Sequence, residues 1–478
     1  MEGMLGLLAV AAAASVGFLI FWAMSQDRAR LWRLAADAVG LTDVRMPVFL
    51  GVASSLTGTA GPLTVKIQRY HRGKYDHGTR IEIGGLRYGA YGLSIRREGV
   101  AASIEKALGE REIEVGDPEF DAAAYLQGSP GLIRAIFDAE TRRLMQPLLE
   151  GTLRVDGDAG SKTIEHLRVS VSDDELRVEI RSSLFDSTDQ WLPSILAQLI
   201  DIGNRLRRPD DLAARIAANI RGEPLEAVRL ANLRTLTSEF AAHAATRDAL
   251  REALRDGSPA VRLHAAAALG AEGLEALLEL TGPASPDDVA ARAIGALGPA
   301  FPPDRAAARF KEARAAGQAA TALACIEVLG AAGGARAVDT LTEALASAEE
   351  VTAAAAAHAL GRIGDAAAEP ALLAALAHDS GAVRVAAAES LGQLGTPAAV
   401  VPLRDAASSH LLDGELRRAA RQAVARIQSR VSGASPGQLS IAGDQSGQLS
   451  LAEEDRRGQV SMAQAARAAQ GAQPRQIT

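Results

Sequence analysis

Asp379-Ser380-Gly381-Ala382-Val383-Arg384-Val385-Ala386-Ala387-Ala388-Glu389-Ser390-Leu391-Gly392 is the pattern from which the architecture is read. A near copy runs from Asp256 to Gly270 with one more turn residue. Both consist of an Asp, a short turn and then V-R-x-x-A-A-x-x-L-G. The Leu-Gly ending recurs at Gly270, Gly298, Gly330, Gly361 and Gly392, at gaps of 28, 32, 31 and 31 residues. Five positions before each glycine stand Ala265, Ala293, Cys325, Ala356 and Ala387. The pairs Leu250/Leu254, Leu341/Leu345 and Leu372/Leu376 stand twenty and sixteen positions before three of them. Leu at i and i+4 predicts one face of a first helix, and the small residue with Leu-Gly predicts a second helix and its C-terminal stop. Such a helix pair of about 31 residues cannot bury its apolar face alone and must stack on its neighbours. Seven pairs are expected, near 211–246, 247–273, 274–301, 302–334, 335–365, 366–397 and 398–430. Ser258-Pro259 and Ser285-Pro286-Asp287-Asp288 supply helix starts with a cap, a first-turn proline and early acids.

Periodicity and pattern together resemble HEAT-like repeats of the short bacterial type, shared with phycobilin-lyase-like repeats. The resemblance covers nearly half of the chain. It implies an all-α solenoid over residues 209–430 and a protein partner on its concave face. It also implies that Asp256, Arg262, Asp379 and Arg384 support the helix-pair turn and the ladder between repeats, with Gly270, Gly298, Gly330, Gly361 and Gly392 as structural positions. Cys325 stands where its siblings have Ala, so a small buried hydrophobe is expected rather than a nucleophile. The last pair lacks the terminal glycine and carries Arg417, Arg418, Arg421, Arg426 and Arg430. These suit a polar outer cap, and Arg417, Arg418 and Arg421 are candidate contacts for an acidic partner or a membrane surface.

Toward the N-terminus, residues 4–24 form 21 residues without a charge. At about 1.5 Å per residue this run matches a roughly 30 Å hydrocarbon core. Phe18, Phe21 and Trp22 cluster near its end, and no positive side chain precedes it. A retained single-pass anchor within residues 1–30 is expected. Arg28, Arg30 and Arg33 follow it, which by the positive-inside rule places the body on the cytoplasmic side of a bacterial inner membrane.

Residues 31–208 read as one α+β domain with an antiparallel sheet. Strand-like alternation appears in Leu63–Tyr70, Thr79–Ile83, Leu93–Arg96, Thr152–Val155 and Leu176–Ile180, with helical spacing over 130–149 and 190–206. Between the first two strands, Arg69, Arg72, Lys74 and Arg80 concentrate positive charge. As function this turn touches an acidic partner or anionic lipid headgroups; as structure it is a solvated hairpin tip. His71 and His77, with Asp76 between them, have no further ligand at a recognisable spacing, so no metal is expected. Gly116-Asp117-Pro118-Glu119-Phe120-Asp121 follows the strand-like Glu112–Val115. Asp117 reads as a cap and Pro118 as the opening of a turn or helix. The segment resembles one found in bacterial membrane-anchored proteins of unknown function, which implies no activity.

The chain has 478 residues, with 51 Lys+Arg against 58 Asp+Glu and a net charge of −7. This balance argues against binding nucleic acid along its length. One cysteine excludes an internal disulfide framework and a multi-Cys zinc site. No nucleophile elbow, phosphate loop, H-E-x-x-H motif or dinucleotide fingerprint is present. From Val431 the composition shifts to Gly, Ser, Gln and Ala, and residues 431–478 read as a disordered tail. Within it Gly437–Ala442, Gly447–Ala452 and Gly458–Ala463 repeat one GQ[LV]S pattern, suited to weak multivalent docking. The expected function is a membrane-anchored scaffold that binds a protein partner, without enzymatic activity, cofactor or small-molecule ligand. The alternative makes the middle domain an enzyme or ligand sensor regulated by the solenoid, with Asp117, Glu119 and Asp121 as the first place to look.

Overall fold

The computed structural model describes residues 27–49, 52–72, 76–97, 112–157, 160–172, 174–181, 190–347, 349–409, 413–430, 439–441 and 449–451. The chain divides into two compact units, Met1–Ala268 and Leu269–Thr478.

The first unit is built on alternation. In β5 (Leu63–His71), Leu63, Val65 and Ile67 are buried on one face, and β6 (His77–Gly84) sets Ile83 opposite Val65 and Ile81 opposite Ile67. The row continues through Leu176 and Val178 of β12 (Glu175–Arg181) and Val171 and Val169 of β11 (Leu167–Ser172). It ends at Ile95 of β7 (Leu93–Arg97) and Leu126 of β8 (Ala124–Gly128). With β1 (Thr42–Arg45) and β4 (Ser55–Ala60) these strands form one eight-stranded sheet in the order β1-β4-β5-β6-β12-β11-β7-β8, paired antiparallel throughout. Two-residue strands β2 (Val48–Phe49) and β3 (Val52–Ala53) pair beside it, as do β9 (Leu153–Gly157) and β10 (Gly160–Ile164).

A helix occupies residues 27–38 (α1). Then follow α2 (Pro118–Ala123), α3 (Pro130–Ile136), α4 (Ala139–Glu150) and α5 (Leu192–Leu206). The expected helical run over 130–149 is two helices, because Asp138 caps α4 by accepting from the Thr141 N–H at 2.8 Å. Helix α4 packs on β7 and β11, and α5 on β5, β6 and β9. Gly203 permits the second contact: a Cβ there would lie 2.7 Å from Ile83 Cγ2. The opposite sheet face is polar. Lys66 pairs with Glu82 (3.0 Å) and Arg80 with Glu179 (2.8 Å), the charges alternating across strands.

The first two helix pairs belong to this unit: α6 (Leu212–Arg221) with α7 (Glu226–Glu239), and α8 (Ala244–Ala253) with α9 (Pro259–Leu269). Helix α3 packs on α6 and α7.

The second unit continues the pairing with α10 (Leu274–Leu280), α11 (Asp287–Leu297), α12 (Pro303–Ala315), α13 (Ala319–Ala332), α14 (Ala335–Leu345), α15 (Glu350–Ile363), α16 (Glu369–Ala375), α17 (Gly381–Leu394), α18 (Val400–Ser409) and α19 (Gly414–Arg430). Each first helix packs on its own second helix, and α11, α13, α15, α17 and α19 pack side by side in succession. In the tail, β13 (Leu439–Ile441) and β14 (Leu449–Leu451) pair antiparallel with Leu439 opposite Leu451. The Leu-Ser-Ile and Leu-Ser-Leu segments of the first two GQ[LV]S copies thus form a short ribbon. The third lies outside the described residues.

The expected anchor requires a correction. Among the described residues no helix is long and apolar enough to cross a membrane, and residues 4–24 lie outside the described residues. The helix at 27–38 carries Asp27, Arg28, Arg30, Arg33 and Asp37, while Trp32 and Ala35 are fully buried, which is the pattern of a helix packed on protein. The single-pass topology and the placement at a bacterial inner membrane with a cytoplasmic body are therefore not retained.

Candidate protein-interaction surface

The side-by-side second helices are brought close by small residues. A Cβ on Gly330 would lie 2.9 Å from Ala359 Cβ, one on Gly361 2.6 Å from Ser390 Oγ, and one on Gly392 3.0 Å from Ala423 Cα. These three glycines are therefore not helix stops; they lie inside α13, α15 and α17. Their Leu-Gly pairs are buried where the next helix crosses, and the left-handed stops come three residues later, at Gly333 (φ +69°) and Gly364 (φ +72°). Gly270 and Gly298 do close their helices with positive φ.

This register fixes what the layer shows to solvent. Three positions before the glycine, Gly295, Glu327, His358 and Glu389 are all exposed. One turn earlier, Ala291, Leu323, Ala354 and Val385 are half-buried. One position after the glycine, Ala331, Arg362 and Gln393 are exposed. Positions four apart share a helix face, so α11, α13, α15 and α17 present a half-open apolar stripe, bordered on α13, α15 and α17 by Glu327, His358 and Glu389. Reading the repeats from buried positions alone passes over these residues. Carrying the same register to the intervening positions finds them.

The recurrent arginines close the turns. Arg229 Nη1 donates to the carbonyls of Glu223 (3.0 Å) and Pro224 (2.9 Å), and its fork meets Asp256 at 2.8 and 2.9 Å. Arg262 donates to the carbonyls of Asp256 and Gly257, and Arg384 to those of His378 and Asp379. Arg384 also reaches Asp413 of the next pair at 3.1 Å. The Asp379 side chain is exposed. Burial opposes ionisation of Asp256, but the Arg229 fork and the Ser258 N–H outweigh it and hold the carboxyl below the usual carboxylate range. Asp287 plays a related part that the repeat pattern did not indicate: its carboxylate accepts from the N–H groups of Ala320 (3.0 Å) and Thr321 (2.8 Å), capping α13 from the preceding pair.

The other sequence-derived candidates are the hairpin arginines of the first unit and the arginines of α19. Arg72 and Arg80 both pair with Glu179, at 2.8 Å each, and Arg69 donates to Thr79 Oγ1. Lys74 lies outside the described residues. Much of the charge of the hairpin is thus matched by the sheet itself, Glu179 being 4% exposed. Arg417, Arg418 and Arg421 are exposed along α19. Arg430 instead donates to the carbonyls of Gly392, Gln393 and Gly395, closing the end of α17.

The acidic segment is engaged in local structure. Asp117 caps α2 through the Phe120 N–H and accepts from Arg142 Nε at 2.8 Å. Asp121 accepts from the N–H groups of Val115 and Gly116, and Glu119 is exposed. Arg142 in turn forks onto Glu223 with two 2.9 Å hydrogen bonds, which ties α4 to the chain leading into α7. Among the described residues no group of three His, Cys, Asp or Glu is placed to hold a metal ion. Cys325 is buried, and that burial pushes its thiol up to about 12.

Residues 338–425 match the family model of HEAT repeats, so HEAT-like repeats are present in the second unit. No curated protein matches the chain. Among solved structures, human deoxyhypusine hydroxylase in complex with glycerol is similar at 19% identity over 46% of this chain and 98% of that one, with a TM-score of 0.19. An engineered protein is similar at 20% identity over 41% of this chain and 95% of that one, with a TM-score of 0.24.

Proposed function

We propose that this protein is a scaffold, and that a protein partner docks across its second-helix layer, taken as the concave face of a HEAT-like solenoid. HEAT repeats suggest a protein-interaction scaffold, and stacked repeats offer extended surfaces rather than enclosed sites. The observation that carries the reading is the register of the layer: a half-open row of Ala291, Leu323, Ala354 and Val385 bordered by exposed Glu327, His358 and Glu389. An apolar strip rimmed by polar groups is the usual make-up of a protein interface. Asp117 and Asp121 are occupied in holding local structure, so no catalytic role is proposed for the acidic segment.

The test is affinity capture with the full-length chain against the double variant Glu327→Arg/Glu389→Arg. Both positions are exposed, so the unfolding midpoint should stay unchanged while captured protein is lost. Identical recovery from the wild type and the double variant would remove the basis of the reading.

A further inference from the structure

We infer that the first unit carries a binding site for a neutral, hydroxyl-rich ring, a saccharide unit, where β7, β8, Ser172 and Asp174 meet at one end of the sheet. The site uses different residues from the scaffold surface.

A cavity of about 600 Å³ opens there, within the range of about 300–1,000 Å³ typical of ligand pockets. Its polar and aromatic lining is Tyr88, Tyr91, Ser94, Gln127, Ser172 and Asp174. Tyr91 is 39% exposed, and its ring is backed by the Arg208 guanidinium, 4.5 Å from the centroid. An aromatic ring held by a stacked cation and left partly open is a preorganised platform for the C–H face of a sugar. Asp174 is equally fixed. It holds a left-handed backbone (φ +70°), its carbonyl accepts from the Leu86 N–H, and its Oδ1 accepts from the Tyr88 N–H at 2.7 Å.

The remaining chemistry selects the ligand. Two serine hydroxyls, one carboxylate and the Gln127 amide, whose Nε2 also donates to the Tyr125 hydroxyl, line the cavity and suit a ligand that both donates and accepts hydrogen bonds. Among the described lining residues the one formal charge is that of Asp174, and a negative charge disfavours phosphate and carboxylate ligands. The Tyr88 hydroxyl is buried without a hydrogen-bond partner among the described residues. Burial, aided by the Asp174 charge, keeps it protonated and thus a standing donor. The rim at Gly128 is bare backbone: at φ +145°, a Cβ there would lie 2.2 Å from the Gly92 oxygen, so no side chain at this position can fill the opening.

Saturation-transfer NMR on the full-length protein with methyl glycosides of glucose, galactose, mannose and N-acetylglucosamine tests the assignment. At least one glycoside should receive saturation on its ring C–H protons. Tyr91→Ala should weaken that binding about tenfold or more, while Tyr91→Phe retains it, because the ring face and not the hydroxyl makes the contact. Asp174→Asn should weaken it several-fold with the unfolding midpoint unchanged, since Asn also tolerates the left-handed backbone and accepts the Tyr88 N–H. Transfer to no glycoside overturns the proposal, as does transfer that Tyr91→Ala and Asp174→Asn leave intact. Tetramethylammonium or methyl phosphate binding in place of every glycoside overturns it as well.

Discussion

Arg142 shows how a single side chain can hold distant parts of the sequence. Its guanidinium meets Asp117 and Glu223 while only 3% exposed, and the Glu223 side chain is 1% exposed. Removing it leaves Glu223 as a buried, uncompensated charge. Arg142→Leu is therefore expected to destabilise the first unit by about 3–5 kcal/mol, read as a fall in the urea midpoint of its transition. Asp256 carries a pH dependence of defined sign. Its folded-state pKa lies below the unfolded value, so its contribution is complete above about pH 4 and is lost as pH falls through the depressed folded value. Wild-type protein should lose more stability between neutral and acidic pH than Asp256→Asn does; parallel melting curves for the two would contradict the assignment. Cys325, with its thiol raised to about 12 by burial, should resist iodoacetamide at mildly alkaline pH in the native state and react fully after unfolding, as followed by mass spectrometry.

Two helical glycines separate packing from propensity. Gly361 faces Ser390, whose hydroxyl donates to the Ala357 carbonyl at 2.8 Å. A Cβ added at Gly295, inside α11, would meet nothing within 4 Å. Gly295→Ala should stabilise the protein by about 0.5–1 kcal/mol through helix propensity alone. Gly361→Ala should destabilise it, because overpacking costs about 1–3 kcal/mol against about 1 kcal/mol of propensity gained. Thermal melts of the pair should move in opposite directions. Several of the strands were legible from their alternation. β5, β6, β7 and β12 can each be read from the sequence to within a few residues of their ends. β4 cannot, since Ser55-Leu-Thr-Gly-Thr-Ala60 carries one large apolar residue, and β8 cannot, since it buries Ala124, Tyr125 and Leu126 in succession and does not alternate. Glu112–Val115 alternates yet joins no sheet among the described residues, Ile113 donating one hydrogen bond to the Leu126 carbonyl. Alternation reports a pleated, half-buried face and does not supply a ladder partner.

For the second unit as an assembly of repeats, stability depends on each pair being covered by the next. Ending the chain at Thr396 removes α18 and α19, uncovers the Gly392 contact with Ala423 and deletes the Arg430 hydrogen bonds to the end of α17. The truncated protein is expected to melt about 5 °C or more below the full chain and to bind more of a hydrophobic dye. An unchanged melting curve and dye signal would show that the last pair is not a cap. The repeats also explain why the helix-pair count was legible in advance: nearest-neighbour packing imprints itself at a fixed period, and each pair obeys the same local rule.

Period, helix pairing, the small residue at Cys325 and the strand alternation around Leu63 and Leu176 all come from local physics, in which neighbours in sequence dictate which face is buried; these were readable from residue order alone. The roles of Gly330, Gly361 and Gly392, the Arg142–Glu223 pair 81 residues apart, and the gathering of Tyr88, Gln127 and Asp174 around one cavity were settled by folding. Close approach and burial of charge are properties of surfaces brought together from distant segments. No spacing along the chain records which residue a side chain will meet.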